Sequence, residues 1–331
     1  MSLSRSELEA AARVVYAAMP PTPQYAWPLL TARTGCEVWV KHENHTPTGA
    51  FKVRGGLVYC ERRRDSRGMI SATRGNHGQS IAFAGRRWGI PITIVVPHGN
   101  STEKNAAMRA FGATLVEHGR DYEEARVESY RLAQEQGLDI APPFHLDLVA
   151  GVASYALELF TAVTDLHSIY APVGMGSGLC GLILVRDALG LATRIVGVQA
   201  AGAPAYALSF EAGRIVTTER ADTIADGVAT RVPDPHAFEI IRRGADRILT
   251  VSEAQIAAAI RAYYADTHNL AEGAGAAPLA ALLKESAAMR GRKVGLILSG
   301  GNIDLDLFTR VLGYSPSRRL PEEQRSPKEV V

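Results

Sequence analysis

One lysine of the sequence stands in an environment that suits covalent chemistry. Lys52 lies between Phe51 and Val53, directly after the turn-forming residues 47–49. Burial between apolar neighbours lowers the pKa of a lysine ammonium towards neutrality, and the neutral amine is a nucleophile that forms a Schiff base with a carbonyl group. An isolated lysine in such a turn is usually an exposed surface residue, so the prediction that Lys52 is catalytic depends on the other motifs of the chain.

Three turns that each follow a predicted strand carry groups suited to polar ligands. The glycines of residues 174–178 allow backbone N–H groups to close around a phosphate, and the following helix adds partial positive charge. The turn of residues 73–79 offers backbone amides to a carboxylate and the Asn76 amide to a hydroxyl or phenolate oxygen. Ser299 opens the third turn, at the carboxyl end of a buried strand, where open α/β sheets bind ligands. Three such turns and a shielded lysine together favour an enzyme with a phosphate-bearing cofactor.

A nicotinamide cofactor is the alternative from a different class. Residues 176–181 (Gly-Ser-Gly-Leu-Cys-Gly) formally match the dinucleotide fingerprint GxGxxG. That fingerprint requires an acidic residue about 20 positions further on, at the end of the next strand, to bind the ribose. Gln199 stands there, with no Asp or Glu nearby. The nicotinamide hypothesis therefore ranks below a phosphate-bearing cofactor.

Alternating strands and helices surround these turns. Strands are predicted at residues 37–42, 68–73, 92–97, 114–117, 168–173, 194–198 and 293–298. Helices are predicted near the N-terminus (residues 8–15) and at residues 53–63, 79–88, 103–111, 122–136, 150–163, 178–189 and 253–267. Strand–helix alternation at short spacing predicts an α/β protein with parallel, doubly wound sheets.

Composition narrows the classes of partner. The 331 residues carry 36 basic and 34 acidic side chains, a formal charge of +2 that indicates no nucleic acid or other polyanionic partner. No apolar run reaches the roughly 18 residues of a membrane helix, and Glu7 and Glu9 interrupt the stretch that a signal peptide would need. The three cysteines lie far apart without a CxxC motif, which favours a reduced, cytoplasmic setting.

Six motifs, taken together, resemble a known family. They are residues 50–55 (Ala-Phe-Lys-Val-Arg-Gly), 74–79 (Arg-Gly-Asn-His-Gly-Gln), 172–178 (Pro-Val-Gly-Met-Gly-Ser-Gly), 223–227 (Thr-Ile-Ala-Asp-Gly), 272–275 (Glu-Gly-Ala-Gly) and 299–302 (Ser-Gly-Gly-Asn). In this order they resemble the pyridoxal-phosphate enzymes of the tryptophan-synthase-β fold, and within them the serine/threonine dehydratase and serine racemase family. The resemblance spans about residues 20–306.

The resemblance implies a role for each motif. Lys52 carries pyridoxal 5′-phosphate as a Schiff base and removes the α-proton, Phe51 flanks the cofactor ring, and Ser299 meets the pyridine nitrogen. Asn76 meets the 3-oxygen of the ring. The phosphate is held by Gly174, Met175, Gly176, Ser177 and Gly178. The substrate is bound by Thr73, Arg74, Gly75, Asn76 and His77.

The resemblance also implies a fold and an activity. We expect two doubly wound lobes with the cofactor in the cleft between them: a large domain from residues 1–67 and 146–314, a small domain from residues 68–145, and a poorly ordered tail at 315–331. The implied activity is that of an ammonia-lyase, which removes water and ammonia from a β-hydroxy amino acid such as threonine or serine to give a 2-oxo acid. We further expect a homodimer.

Three departures from the family pattern refine these expectations. Arg74 occupies the position where the racemases have a proton-carrying serine, which disfavours racemisation, although a serine racemase stays a less favoured alternative. Arg74 is either a solvated turn residue or a ligand for a second substrate carboxylate, and the latter makes a hydroxyaspartate ammonia-lyase the second hypothesis. Residues 199–205 contain none of the carboxylates with which the family binds a divalent cation, so we predict no metal. Only 29 residues follow Asn302 in the 331-residue sequence, and we expect no regulatory domain there.

Overall fold

The computed structural model describes residues 3–313, in which ten strands form two sheets. The strands are β1 Gln24–Ala26, β2 Glu37–His42, β3 Met69–Ala72, β4 Ile92–Val96, β5 Thr114–Glu117, β6 Asp139–Ile140, β7 Ser168–Pro172, β8 Arg194–Ala200, β9 Arg247–Val251 and β10 Lys293–Leu298. The larger sheet has the order β1-β2-β10-β7-β8-β9 and the smaller sheet the order β5-β4-β3-β6. All of these strand pairs are parallel except β1 with β2.

Helices cover both sheets. They are α1 Arg5–Tyr16, α2 Pro28–Thr34, α3 Lys52–Glu61, α4 Asn76–Trp88, α5 Thr102–Ala110, α6 Tyr122–Gln136, α7 Leu146–Ala162, α8 Ser177–Ala188, α9 Ala205–Ala212, α10 Pro235–Gly244, α11 Glu253–Thr267, α12 Gly273–Lys284, α13 Ser286–Met289 and α14 Leu305–Val311. Two short 3-10 turns lie at Glu43–His45 and Asp226–Val228.

The strands of the larger sheet are almost continuously apolar, and helices cover both faces of the sheet. Successive side chains of a strand point to opposite faces. Val196 and Val198 pack with α11 and α12 on one face, while Ile169, Ile195 and Ile297 pack with α7 and α8 on the other. This two-sided burial is the arrangement expected for parallel strands joined by helices.

The smaller sheet shares its core with the N-terminal part of the chain. Met69, Ile92 and Ile94 pack in one apolar cluster with residues of α1, α3 and α4, whereas Ile70 and Val95 face α6. Helix α3 therefore lies between the two sheets, with α4 on one side and α7 on the other. This position matters because Lys52 is the first residue of α3.

The predicted elements form, with local corrections to their bounds. Helix α4 begins at Asn76 rather than Gln79, because the backbone N–H of Gly75 bonds to Thr73 Oγ1 (3.1 Å) and completes the turn early. Helix α7 begins at Leu146 rather than residue 150, because the His145 Nδ1 atom accepts a hydrogen bond from the Asp147 N–H (3.0 Å). Strands β1 and β6 and helices α2, α9, α10, α12, α13 and α14 have no counterpart in the predictions.

Two expectations concern the chain ends and membranes. The predicted tail at residues 315–331 lies outside the described residues. Within residues 3–313, no helix combines the length and apolarity that a membrane span requires.

Candidate active site

A cavity of about 620 Å³ opens between the two sheets. Its walls come from the turns after β7 and β10 of the larger sheet and from the turn after β3 of the smaller sheet, each at the carboxyl end of a parallel strand. All thirteen residues predicted for the site line this cavity: Phe51, Lys52, Thr73, Arg74, Gly75, Asn76, His77, Gly174, Met175, Gly176, Ser177, Gly178 and Ser299. The tertiary structure thus gathers residues up to 248 positions apart (Phe51 to Ser299) into one site.

Lys52 reaches from the first turn of α3 into this cavity. Its Nζ atom donates a hydrogen bond to Ser177 Oγ (3.1 Å) and lies 5.3 Å from the centre of the Phe51 ring. Burial lowers the pKa of Lys52 from 10.5 to about 8. A sizeable fraction of the amine is therefore neutral near pH 8, which is the form that acts as a nucleophile and a base.

A buried ion network fixes the helix that carries Lys52. The Arg54 guanidinium is fully buried and donates to Glu43 Oε2 (2.6 Å) and to Glu158 Oε1 (2.6 Å). Lys41, also buried, lies against the second oxygen of Glu158. Loss of one partner from such a network would leave a buried charge unpaired, which is strongly destabilising. The network therefore holds α3 against α7 in one register.

The glycine-rich turn of residues 174–178 is shaped for close approach of a ligand to the backbone. A Cβ atom on Gly174 would lie 2.1 Å from the Gly227 carbonyl oxygen, and Gly176 has a φ of +97°. Helix α8 starts at Ser177 without a side-chain cap, so its first backbone N–H groups are available to an anion. With the partial positive charge of the helix N-terminus, the turn suits a phosphate.

Asn76 is held in place from both ends of its amide. Its Nδ2 atom donates to Glu272 Oε1 (2.8 Å), and its Oδ1 atom accepts from Asn302 Nδ2 (2.8 Å). The adjacent His77 is buried, and its Nε2 atom has no hydrogen-bond partner among residues 3–313. Burial, with a contribution from the Lys52 charge, lowers the pKa of His77 to about 3, so its imidazole is neutral at physiological pH.

Ser299 joins the third turn to the lysine helix. Its side chain lines the cavity with only 2% of the residue exposed, and its carbonyl oxygen accepts a hydrogen bond from the Phe51 N–H (2.9 Å). The serine and Lys52 are therefore positioned by the same backbone contact.

Arg74 lies at the rim of the cavity and is only loosely paired. Half of its side chain (52%) is exposed, and its Nη2 atom is 3.8 Å from Asp226 Oδ1. The structure thus brings Arg74 to the cavity while supplying it with a competing carboxylate.

Several charged residues that line the cavity were not assigned a role from the sequence, and three of them surround Asn76 and its turn. Lys104 of α5, Asp226 and Glu272 all line the cavity. Asp226 and Glu272 belong to two of the six family motifs, which was the available signal. Lys104 stands in a polar helix whose other charges are exposed, and nothing in its local sequence distinguishes it.

The donor set fits pyridoxal phosphate. The cavity combines a partly buried lysine of lowered pKa, a glycine cradle at a helix N-terminus, the Asn76 amide and the Ser299 hydroxyl. These groups suit an aldehyde, a phosphate, a phenolate oxygen and a pyridine nitrogen. Among residues 3–313, by contrast, no group of three or more His, Cys, Asp or Glu side chains is arranged to hold a metal ion.

Comparison with known proteins agrees with this chemistry. A family model described as pyridoxal-phosphate dependent enzyme matches residues 15–300. The L-threonine ammonia-lyase of Geobacter sulfurreducens is 36% identical over 284 residues, covering 85% of this chain and 71% of the relative. The L-threo-3-hydroxyaspartate ammonia-lyase of Pseudomonas sp. is 34% identical over 295 residues, covering 88% and 92%. The solved threonine deaminase of Solanum lycopersicum, in its processed form, superposes with a TM-score of 0.86 at 28% identity, covering 94% of each chain.

The fold and the site therefore define an α/β enzyme that uses pyridoxal phosphate, and the chain belongs to the family of pyridoxal-phosphate-dependent enzymes. The regions aligned with the two ammonia-lyases cover most of this chain. The predictions of the family, of the α/β fold with two lobes, of the cofactor and of the ammonia-lyase class are confirmed.

Proposed function

We propose that the enzyme deaminates a β-hydroxy amino acid, with threonine or serine as the first candidate substrates. The observation that carries this proposal is the position of Lys52, which lies beside the glycine cradle with a pKa lowered to about 8. Relatives that act on threonine and on 3-hydroxyaspartate give independent support for a hydroxyl group on the β-carbon of the substrate.

The side chains of the site divide the work of elimination. When bound, pyridoxal phosphate supplies an electron sink that acidifies the proton on the α-carbon of the attached amino acid. The Nζ atom of Lys52 would take this proton. Ser299 offers the pyridine nitrogen a neutral hydroxyl, which does not keep that nitrogen protonated as a carboxylate would, and so favours prompt loss of the β-hydroxyl over transamination. In the net reaction the β-hydroxyl and the α-proton would leave as water, one water molecule would be taken up, and the products would be a 2-oxo acid and ammonia.

The roles of the remaining site residues are part of the proposal. Thr73, Gly75 and the N-terminal backbone of α4 bind the α-carboxylate, and Asn76 binds the 3-oxygen of the cofactor. The neutral His77 packs beside the amino acid without bringing a second charge to the site.

The experiment that tests the function is a substrate screen. The purified, cofactor-loaded protein is incubated with L-threonine, L-serine and the isomers of 3-hydroxyaspartate, and 2-oxo acid and ammonia are measured together. Release of both in equal amounts from at least one of them is expected. A protein that shows the absorption band of lysine-bound cofactor but releases neither product from any of these substrates would refute the ammonia-lyase proposal.

A hydroxyaspartate ammonia-lyase is the second candidate, because Arg74 lies at the cavity rim. A substrate β-carboxylate must compete with Asp226 for a half-exposed guanidinium, so the pair is worth the roughly 0.2–1 kcal/mol of an exposed ion pair, or up to about fivefold in kcat/KM. Arg74→Ala should therefore lower kcat/KM for 3-hydroxyaspartate up to about fivefold and leave that for threonine unchanged. Arg231→Ala is the matched control, since Arg231 also lines the cavity but bonds to the Thr218 carbonyl. Equal effects of Arg74→Ala on both substrates would assign Arg74 to the turn alone.

The domain boundaries, the cellular location and the oligomeric state are also part of the proposal. We propose a large domain of residues 1–67 and 146–314 and a small domain of residues 68–145, each built around one of the two sheets. We also propose a cytoplasmic homodimer. Light scattering coupled to size-exclusion chromatography measures the mass in solution, and a monomer at micromolar concentration would contradict the dimer.

A further inference from the structure

Lys104, which lies against the turn of residues 73–79, connects the two sides of the active site. Lys104 lies in α5, on the side of the smaller sheet, and its Nζ atom donates to Asp226 Oδ2 (2.8 Å), which belongs to the side of the larger sheet. Only 11% of the Lys104 side chain is exposed, whereas 39% of the Asp226 side chain is. The bridge thus crosses the cleft with its lysine end sheltered and its carboxylate end open to solvent.

The stem of Lys104 also contacts the turn that carries Asn76. A Cβ atom on Gly75 would lie 3.0 Å from Lys104 Cδ, so the lysine passes directly over the Gly75 backbone. Glycine at this position allows that close approach. A displacement of the lysine therefore removes the packing that supports the turn.

The charge of Lys104 acts on the group that holds Asn76. Burial alone would lower the pKa of Lys104, but the carboxylates of Asp226 and Glu272 outweigh it and raise that pKa. In return the Lys104 cation stabilises the ionised form of Glu272, whose Oε1 atom accepts the hydrogen bond from Asn76 Nδ2 (2.8 Å). Two further contacts join the start of α5 to the other side of the cleft: Ser101 Oγ donates to Asp304 Oδ1 (2.8 Å), and the Leu305 N–H donates to Glu103 Oε1 (3.0 Å).

We propose that Lys104 is a positioning residue, which couples closure of the cleft through Asp226 to the orientation of Asn76 through Glu272. This inference rests on the proposed function, in which Asn76 faces the 3-oxygen of the cofactor. The Lys104–Asp226 bridge joins the two sides of the cleft, and it holds Gly75 and Asn76 in the arrangement that the reaction needs.

The test compares Lys104→Met, which keeps the stem and removes the charge, with Lys104→Arg, which keeps the charge. Lys284→Met serves as the matched control, because Lys284 bonds to the Thr250 carbonyl at the far end of α12. Three quantities are measured on each holoenzyme: kcat and KM, the absorption band of the lysine-bound cofactor, and hydrogen exchange in residues 102–110 and 223–228.

For Lys104→Met we expect a loss of about ten- to a hundredfold in kcat with a smaller change in KM, because a misplaced Asn76 affects the reacting geometry more than ground-state binding. We also expect a displaced absorption band and faster exchange in both segments. Lys104→Arg should recover most of kcat. Asp226→Asn, which removes the other end of the bridge, should reproduce the faster exchange even if the methionine variant folds poorly.

The proposal is overturned if Lys104→Met matches Lys284→Met in kcat, spectrum and exchange, or if Lys104→Arg loses as much kcat as Lys104→Met. These outcomes differ from failure of the proposed function, in which the wild-type protein itself releases no 2-oxo acid. The spectrum and the exchange rates are measured without turnover and report on positioning in either case.

Discussion

Glu272→Gln removes a buried carboxyl whose titration couples the free energy of unfolding to pH. Only 8% of Glu272 is exposed. Burial, the largest influence, raises its pKa from 4.5 to about 7, against the opposing effects of Lys104 and the Asn76 amide. Between these two pH values the folded protein keeps a proton that the unfolded chain has released. The stability that this proton provides is fully present below about pH 4.5 and is lost as the pH rises through about 7.

The magnitude follows from the same two values. A rise of about 2.5 pKa units, each worth about 1.36 kcal/mol, corresponds to about 3 kcal/mol of unfolding free energy. Glutamine resembles the protonated acid and does not titrate. The variant should therefore match the wild type near pH 4.5 and become the more stable protein, by up to about 3 kcal/mol, above about pH 7.

The assay is urea unfolding followed by far-ultraviolet circular dichroism at several values between about pH 4.5 and 8. The cofactor is removed beforehand so that only groups of the chain titrate. Glu285→Gln is the control of opposite sign, because hydrogen bonds from Arg247 and Tyr170 outweigh burial and lower the pKa of Glu285. That variant should be less stable than the wild type throughout this range. A constant difference between Glu272→Gln and the wild type from acid to neutral pH would refute the reasoning.

Three other predictions concern the cofactor site and the absence of a metal requirement. Lys52→Ala should abolish turnover and the absorption band of the bound cofactor while circular dichroism stays native; 2-oxo acid release at the wild-type rate would show that another group is the nucleophile. Gly174→Ala should weaken cofactor binding, measured by titration of the apoenzyme, because its Cβ atom would meet the Gly227 carbonyl oxygen at 2.1 Å and overpacking costs about 1–3 kcal/mol; an unchanged Kd would contradict this. EDTA should change neither activity nor Tm, since residues 199–205 lack acidic ligands; activity that magnesium or calcium restores would overturn that expectation.

Patterns in the sequence were sufficient to predict the class of fold and the residues that line the cavity. Residues 92–96 and 293–298 are short, almost continuously apolar runs, a local pattern that is typical of parallel strands covered on both faces. The turns after β7 and β10 meet for a topological reason, because the carboxyl ends of neighbouring parallel strands share one edge of the larger sheet, whereas the turn after β3 comes from the smaller sheet. A lysine between apolar residues and a glycine-rich turn before a helix led to the predicted roles of Lys52 and residues 174–178 only in combination with the other motifs of the family.

The distribution of charge around Lys52 and the glycine-rich turn could not be predicted from the sequence, because it depends on the folded chain. The raised pKa of Glu272 and the sheltered position of Lys104 arise from groups that are distant in sequence, since Asn76, Lys104, Asp226 and Glu272 come from four separate segments. Electrostatic energies depend on distance and burial, and neither is encoded in a local pattern. For the same reason the sequence left Arg74 open between two roles. Its partial exposure and the neighbouring Asp226 carboxylate, which set how strongly it can bind a second substrate carboxylate, exist only in the folded chain.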